Sequence, residues 1–242
     1  MREQILCYAL RYHGDWSKIA KAIASDEEWR ACTCAYDYVT LGEAHYPSAF
    51  LSLRFPPWIV FYRGSLQLCA RAAVSVIGAR RASHEGLRAC ARVTSILAQR
   101  YVIVSGLAKG IDACAHRCAL PQGTIGVIGC GIDVVYPKEN AALYAAMAAD
   151  HLILSEYPPG TPPLAAHFPW RNRLIAALGS SLIVIEATPR SGTMHTVSEA
   201  LSLSRPIYCL ARSFLETTYT GNGLLIQQGA SILTGEDDVK EI

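Results

Sequence analysis

The sequence predicts an α/β protein with a Rossmann-like fold, in which a doubly wound, mostly parallel sheet follows a short N-terminal helical region. From Ala73 onward, apolar runs of strand length alternate with amphipathic segments of helical length. The runs are apolar at consecutive positions, which is typical of parallel strands that helices cover on both faces. Hydrophobic residues make up 51% of the 242 residues, enough for one well-buried domain with a small addition.

Residues 1–70 are predicted to be a short helical lead-in and connector. Helical patterns cover residues 2–10, 16–24 and 27–36. The stretch that follows is irregular and interrupted by prolines, and residues 59–64 (IVFYRG) then form a strand.

Residues 71–242 are predicted to form the Rossmann-like domain. Its strand-forming runs are AVSVIG (73–78), YVIVSG (101–106), TIGVIG (124–129), HLILS (151–155), SLIVIEA (181–187), PIYCLA (206–211) and ASIL (230–233). The helices between them are expected at about residues 84–99, 111–119, 139–148, 169–178 and 194–204, with another near Leu224. Ligands of such sheets bind beyond the carboxyl ends of the strands, so the loops there are the candidate functional positions.

Glycines and basic side chains occupy several of these loops. The residues concerned are Gly78, Arg80, Arg81, Gly106, Lys109, Arg190, Ser191 and Gly192. Glycine lets the backbone approach an anion closely, and the helix after each loop presents free N–H groups and the positive end of its dipole. The net charge is only +2, but basic residues outnumber acidic ones between Ile77 and Gly131. The loops therefore predict a phosphate-bearing ligand at one edge of the sheet.

The segment His167-Phe168-Pro169-Trp170-Arg171-Asn172-Arg173 places two arginines in the first turn of a helix that begins near Pro169. Cations there oppose the helix dipole, so Arg171 and Arg173 need anionic partners. The sequence leaves open whether each partner is a buried acid, Glu156 or Glu186, or an external phosphate.

Several classes of site lack their sequence signatures. Neither GxGxxG nor GxxxxGK[ST] is present, so no nucleotide cofactor is predicted. Cys114 and Cys118 share a helix face that His116 does not, and no metal site is expected. The nine cysteines are scattered and odd in number, which favours reduced thiols. No secretory leader and no membrane-length apolar run is found, so a cytoplasmic protein is expected.

In their order and spacing, these motifs are similar to those of the DNA-processing protein A (DprA/Smf) family over about residues 70–233. The motifs are Gly78-Ala79-Arg80, Ser105-Gly106-Leu107-Ala108-Lys109-Gly110-Ile111-Asp112, Gly131-Ile132-Asp133-x-x-Tyr136-Pro137-x-Glu139-Asn140, Ser155-Glu156-Tyr157-Pro158-Pro159-Gly160-Thr161, His167-Phe168-Pro169-x-Arg171-Asn172-Arg173, Arg190-Ser191-Gly192-Thr193 and Leu225-Ile226-Gln227-Gln228-Gly229-Ala230.

The resemblance implies an extended Rossmann-like fold and a homodimeric, non-catalytic protein that binds single-stranded DNA. Such a protein shields incoming strands during natural transformation and passes them to the RecA recombinase. By this resemblance Gly78, Arg80, Gly106, Lys109, Phe168, Arg171 and Arg173 line the DNA groove. Ala165 stands where many members have a lysine, and the chain matches a compact form without the family's C-terminal winged-helix module.

Two alternatives belong to other functional classes. Arg190-Ser191-Gly192-Thr193 with Glu199 resembles, at longer spacing, the signature of nucleotide phosphoribohydrolases, in which Glu199 would act on an N-glycosidic bond. A small-nucleotide sensor of related fold is the other alternative.

Overall fold

The apolar runs of the sequence form one nine-stranded sheet in the computed structural model, which describes residues 1–211 and 217–242. The strands are β1 (Asp37–Thr40), β2 (Ile59–Gly64), β3 (Ala73–Ile77), β4 (Val102–Ser105), β5 (Thr124–Ile128), β6 (Leu152–Ser155), β7 (Leu182–Val184), β8 (Ile207–Leu210) and β9 (Ser231–Leu233). Strands β3 to β7 are buried at every position, as the consecutive apolar runs predict.

The sheet is doubly wound about β3. Its strand order is β1-β2-β6-β5-β4-β3-β7-β8-β9. The chain moves outward from β3 to β6 on one side, then returns to the other side of β3 with β7 to β9. All pairings are parallel except β1 with β2 and β2 with β6. The winding reverses between β3 and β7, so a crevice is expected at their carboxyl ends.

Helices cover both faces of this sheet. They are α1 (Arg2–Arg11), α2 (Trp16–Ala24), α3 (His84–Leu97), α4 (Ile111–Ala119), α5 (Ala141–Asp150), α6 (His167–Leu178), α7 (Gly192–Ser202), α8 (Thr220–Gln227) and α9 (Glu236–Lys240). Helices α6, α7 and α8 pack on one face, and the others pack on the opposite face. The predicted fold class is confirmed.

The helix predicted at residues 27–36 is wrong, because this segment has no regular structure before β1 begins at Asp37. Contacts with α1 hold it in an extended path. The hydroxyl of Tyr8 donates to the carbonyl of Glu27, and Arg11 Nη1 donates to the Glu28 carbonyl at 3.1 Å. Tertiary contacts thus outweigh the local helical pattern.

Cys7 and Cys32 form a disulfide that joins α1 to the same segment. The expectation of reduced cysteines is therefore wrong for this pair, and the other seven cysteines are free. Within the described residues, no helix is both long and apolar enough to cross a lipid bilayer.

Candidate functional site

A cavity of about 700 Å³ opens where the winding of the sheet reverses. Three segments that follow strands form its walls: the loop after β3, the first turns of α6, and the loop that leads from β7 into α7. The predicted site residues that line the cavity are Gly78, Arg80, Arg81, Phe168, Arg171, Ser191 and Gly192. Loops that are far apart in sequence therefore meet at one site, as parallel-sheet topology predicts.

The mouth of the cavity carries exposed positive charge. Arg80 and Arg81 are both exposed. Among residues 1–211 and 217–242, no carboxylate forms an ion pair with either side chain. Their guanidinium groups are therefore available to an anion from outside the protein, and arginine suits phosphate because its donors form a planar fork.

Phe168 forms an aromatic platform beside Arg80. Its ring is partly exposed, and its centroid lies 5.3 Å from the Arg80 guanidinium carbon and 5.6 Å from the Tyr136 ring centroid. A Cβ atom at Gly129 would lie 3.1 Å from the ring, so the glycine leaves space for the ring to sit. An aromatic face next to cations suits a nucleobase with its attached phosphate.

Arg171 forms the floor of the cavity and is held there by backbone carbonyls. Its Nη1 donates to Gly106 O at 2.9 Å and also to Val127 O. These bonds connect α6 to the carboxyl ends of β4 and β5. Burial lowers the pKa of Arg171 to about 10, with Asp112 acting in the opposite direction. The group remains cationic at neutral pH and adds positive potential beneath the cavity.

Gly106 was predicted to line the DNA groove, but two of the protein's own side chains occupy the space beside it. A Cβ atom at Gly106 would lie 2.7 Å from both Arg171 Nη2 and Asp112 Oδ2. The glycine is therefore needed for these two side chains to approach the backbone, and Gly106 does not line the cavity. Burial raises the pKa of Asp112, which Arg171 opposes.

Three other predicted residues lie outside the cavity wall. Lys109 pairs with Glu139 on the exposed surface. Arg173 is buried and pairs with Glu156 at 2.7 Å. Arg190 is exposed in the loop before α7 but does not line the cavity. The structure thus gives Arg173 an internal carboxylate as its anionic partner and places Arg171 beside the cavity.

Two of the helix starts differ in their access to the cavity. At α3, Glu186 accepts from Ser83 N at 3.0 Å, so the protein's own carboxylate lies at that helix start. At α7, the N-cap residue Ser191 makes no side-chain cap bond, and Ser191, Gly192 and Thr193 line the cavity. An incoming anion therefore meets the N–H groups of α7 rather than those of α3.

Sequence reasoning missed several polar residues of the wall. They are Asn172, Thr193, His195, Thr196 and Tyr219. Asn172 Nδ2 donates to Gly192 O at 3.2 Å and links the starts of α6 and α7. The spacing of Thr193 and Thr196 on one helix face was a usable signal. Tyr219 follows β8 as the N-cap residue of α8, and no local sequence pattern indicates that it reaches this cavity.

Glu199, the acid required by the phosphoribohydrolase alternative, is not part of the cavity wall. It lies in α7, one residue before buried Ala200, and is half-buried. Asp112 is the carboxylate among the lining residues, and Arg171 opposes its charge. The position of Glu199 gives the hydrolase alternative no support.

His116 of α4 is a core residue. Its Nδ1 lies 2.7 Å from Thr124 Oγ1, and burial lowers the pKa of His116 to about 3. In the unfolded chain a histidine titrates near 6.5. The stability that neutral His116 contributes is thus complete above pH 6.5 and is lost as the pH falls toward 3.

Because of His116, we expect the free energy of unfolding, measured with urea, to be about 2 kcal/mol lower at pH 5 than at pH 7. His116→Gln cannot be protonated, so its free energy of unfolding should vary less over this range, whatever its value at pH 7. An unchanged pH dependence in the variant would show that His116 is protonated equally in both states.

Comparison with known proteins places this architecture in one family. The family model described as DNA recombination-mediator protein A matches residues 37–242. DNA processing protein DprA of Streptococcus pneumoniae is 44% identical over 196 residues, which cover 80% of this chain and 70% of that protein. The Bacillus subtilis DprA is 32% identical over 246 residues, covering 99% and 81% respectively.

Two solved structures of related proteins are similar to this chain over most of its length. The X-ray structure of Streptococcus pneumoniae DprA superposes with a TM-score of 0.82 at 36% identity, covering 99% of this chain and 92% of that one. DNA processing protein A of Helicobacter pylori superposes with a TM-score of 0.78 at 31% identity, covering 86% and 96%. The resemblance drawn from the strand-end motifs is confirmed. This chain belongs to the DNA recombination-mediator protein A family, the family of DNA-processing protein A (DprA/Smf).

Proposed function

We propose that this protein binds single-stranded DNA in the cavity between the loops after β3 and β7. The observation that carries the proposal is the juxtaposition of the partly exposed Phe168 ring with Arg80 in a cavity that Arg81 also lines. Neither arginine has a carboxylate partner in the described part of the chain. The related Helicobacter pylori protein is described by its single-stranded DNA binding mode, which supports the same ligand class here.

Different residues of the site contact the phosphate backbone and the bases of the DNA. Arg80, Arg81 and the N–H groups at the start of α7 hold phosphates, while Phe168 stacks on a base. Arg171 lies beneath them, fixed by Gly106 and Val127, and strengthens the positive potential. Stacking and phosphate contacts do not read base edges, so binding is independent of sequence.

The cellular role that we propose follows from family membership. The protein shields incoming single strands during natural transformation and passes them to the RecA recombinase in the cytoplasm, acting as a homodimer and without catalysing a reaction. Residues 71–242 form the DNA-binding unit. The family description as a recombination mediator supports this role. Arg173 is left out of the DNA site because Glu156 neutralises it in the core.

The test is a fluorescence-anisotropy titration of single-stranded and double-stranded oligonucleotides at several salt concentrations. We expect tighter binding of the single strand. Arg80→Ala and Arg81→Ala should each weaken it and reduce the slope of log K against log[salt] by about 0.7, the value for one phosphate contact to a single strand.

Arg117→Ala is the matched control, because Arg117 is exposed in the last turn of α4, at the opposite edge of the sheet. It should leave affinity and slope unchanged. The proposal fails if neither cavity arginine alters the slope, or if a mononucleotide binds tightly while the oligonucleotide does not; the latter result would favour a nucleotide sensor.

A further inference from the structure

A second concave surface lies beside the start of α6, on the other side of this helix from the cavity. It is a groove of about 410 Å³, walled by the turn between α1 and α2, the first turn of α2 and the first turn of α6. We call it the aromatic groove; its lining residues used below are His13, Trp16, Lys18, His167 and Trp170. The N-terminal helical region and the first turn of α6 therefore form this groove together.

Partly exposed indole rings form two walls of the aromatic groove. The Trp16 ring lies 5.0 Å from Phe55, and Phe55 lies 5.9 Å from Trp170. Trp16 Nε1 donates to the carbonyl of Pro56 at 2.7 Å, which fixes the orientation of this indole. Rings held in this way meet a flat apolar ligand without losing further side-chain freedom.

The two walls are joined by close backbone packing. Gly14 has φ +76°, and a Cβ atom there would lie 3.1 Å from the Glu156 carbonyl oxygen. The preceding residue, His13, also has a positive φ of 53°. The turn between α1 and α2 is therefore seated directly on the loop after β6, and the groove keeps its width.

The rim of the groove carries a cation suited to phosphate. The side chain of Lys18 is 64% exposed, and its carboxylate neighbour is Asp15 at 3.6 Å. Asp15 also caps α2, since its Oδ1 accepts from Lys18 N at 3.0 Å. An exposed pair of this kind contributes little energy, so a phosphate can replace Asp15 as the partner of the Lys18 ammonium.

The first turn of α6 separates the cavity from the groove. Phe168 and Pro169 line the cavity, whereas His167 and Trp170 line the groove. A strand whose base stacks on Phe168 reaches the indoles by passing over the first turn of α6, which is about 10–12 Å across with its side chains. Aromatic side chains therefore lie on both sides of this turn.

We propose that the aromatic groove is a second nucleobase subsite for the strand bound in the cavity. One base stacks against the indole surface that Trp16 and Trp170 present to the groove, and its phosphate pairs with Lys18. This inference rests on the proposed binding of single-stranded DNA and assigns a binding role to the N-terminal helical region.

The test compares oligothymidylates of about 4 and about 15 nucleotides, the range over which single-strand sites are sized. Lys18→Glu should weaken binding of the longer oligomer by about fivefold and leave the shorter one unaffected. Lys21→Glu is the matched control, because it makes the same charge change on the same exposed helix, outside the groove. Trp16→Leu, with its fold verified by circular dichroism, should likewise affect only the longer oligomer.

Each outcome decides between the two proposals. Equal effects of Lys18→Glu and Lys21→Glu on the longer oligomer, with full binding by Trp16→Leu, would overturn the subsite. If Arg80→Ala still weakened the binding of both oligomers, the proposed DNA site in the cavity would hold without the second subsite. Failure of the unmodified protein to bind either length would remove both proposals together.

Discussion

Arg173→Ala is expected to lower the free energy of unfolding by about 3–5 kcal/mol, because it leaves the Glu156 carboxylate buried without its cation. Arg173 Nη2 lies 2.7 and 2.8 Å from the two carboxylate oxygens, and both side chains are 4% exposed. The guanidinium carbon also lies 4.2 Å from the Trp170 ring centroid, so the substitution removes packing as well. Urea unfolding at neutral pH measures the loss.

Two further variants make this prediction specific. Arg190→Ala removes an exposed arginine and should change stability by no more than about 0.5 kcal/mol. Arg173→Met combined with Glu156→Leu removes both charges and should recover most of the lost stability. If Arg173→Ala instead kept its stability and lost DNA affinity, Arg173 would be a DNA contact after all, as the family resemblance implies.

The sheet was predictable because its physical cause is local in the sequence. Strands buried on both faces require consecutive apolar residues, and β3 to β7 show them. The same reasoning predicted that the loops after β3 and β7 lie close together, since the carboxyl ends of parallel strands meet at one edge of the sheet. It therefore anticipated that Arg80 and Arg81 would meet Ser191, although Ser191 is far from the two arginines in the sequence.

The partners of individual charges were not predictable in this way. Arg171 and Arg173 are two residues apart on α6 and so point to different sides of the helix. One reaches Gly106 and Val127 at the cavity floor, and the other reaches Glu156 in the core. Which side meets a carboxylate depends on how α6 is rotated against the sheet, and that rotation follows from the packing of the whole domain.

The N-terminal segment shows the same limit. Residues 27–36 have a helical pattern, but contacts of Tyr8 and Arg11 with the backbone at Glu27 and Glu28 hold this chain extended. Such contacts join residues about twenty positions apart, and short-range periodicity carries no information about them. The same is true of the disulfide between Cys7 and Cys32.

Phe168→Leu is expected to weaken binding of single-stranded DNA by about 1–3 kcal/mol, which is about 5- to 150-fold, because it removes the ring on which a base stacks. Leucine keeps most of the apolar volume and changes no charge. The slope of log K against log[salt] should therefore stay at its unmodified value, whereas Arg80→Ala lowers it. Anisotropy titrations over a salt series separate these two effects.

Phe168→Tyr provides the control, since it preserves the aromatic face and should bind within about twofold of the unmodified protein. The Arg80 guanidinium carbon lies 5.3 Å from the Phe168 centroid, so the two residues are also expected to be energetically coupled. The double variant should then lose less affinity than the two single losses combined. Strict additivity would show that Phe168 and Arg80 act independently of each other. A salt slope that falls with Phe168→Leu would show that the ring supports phosphate contacts rather than acting as a stacking surface.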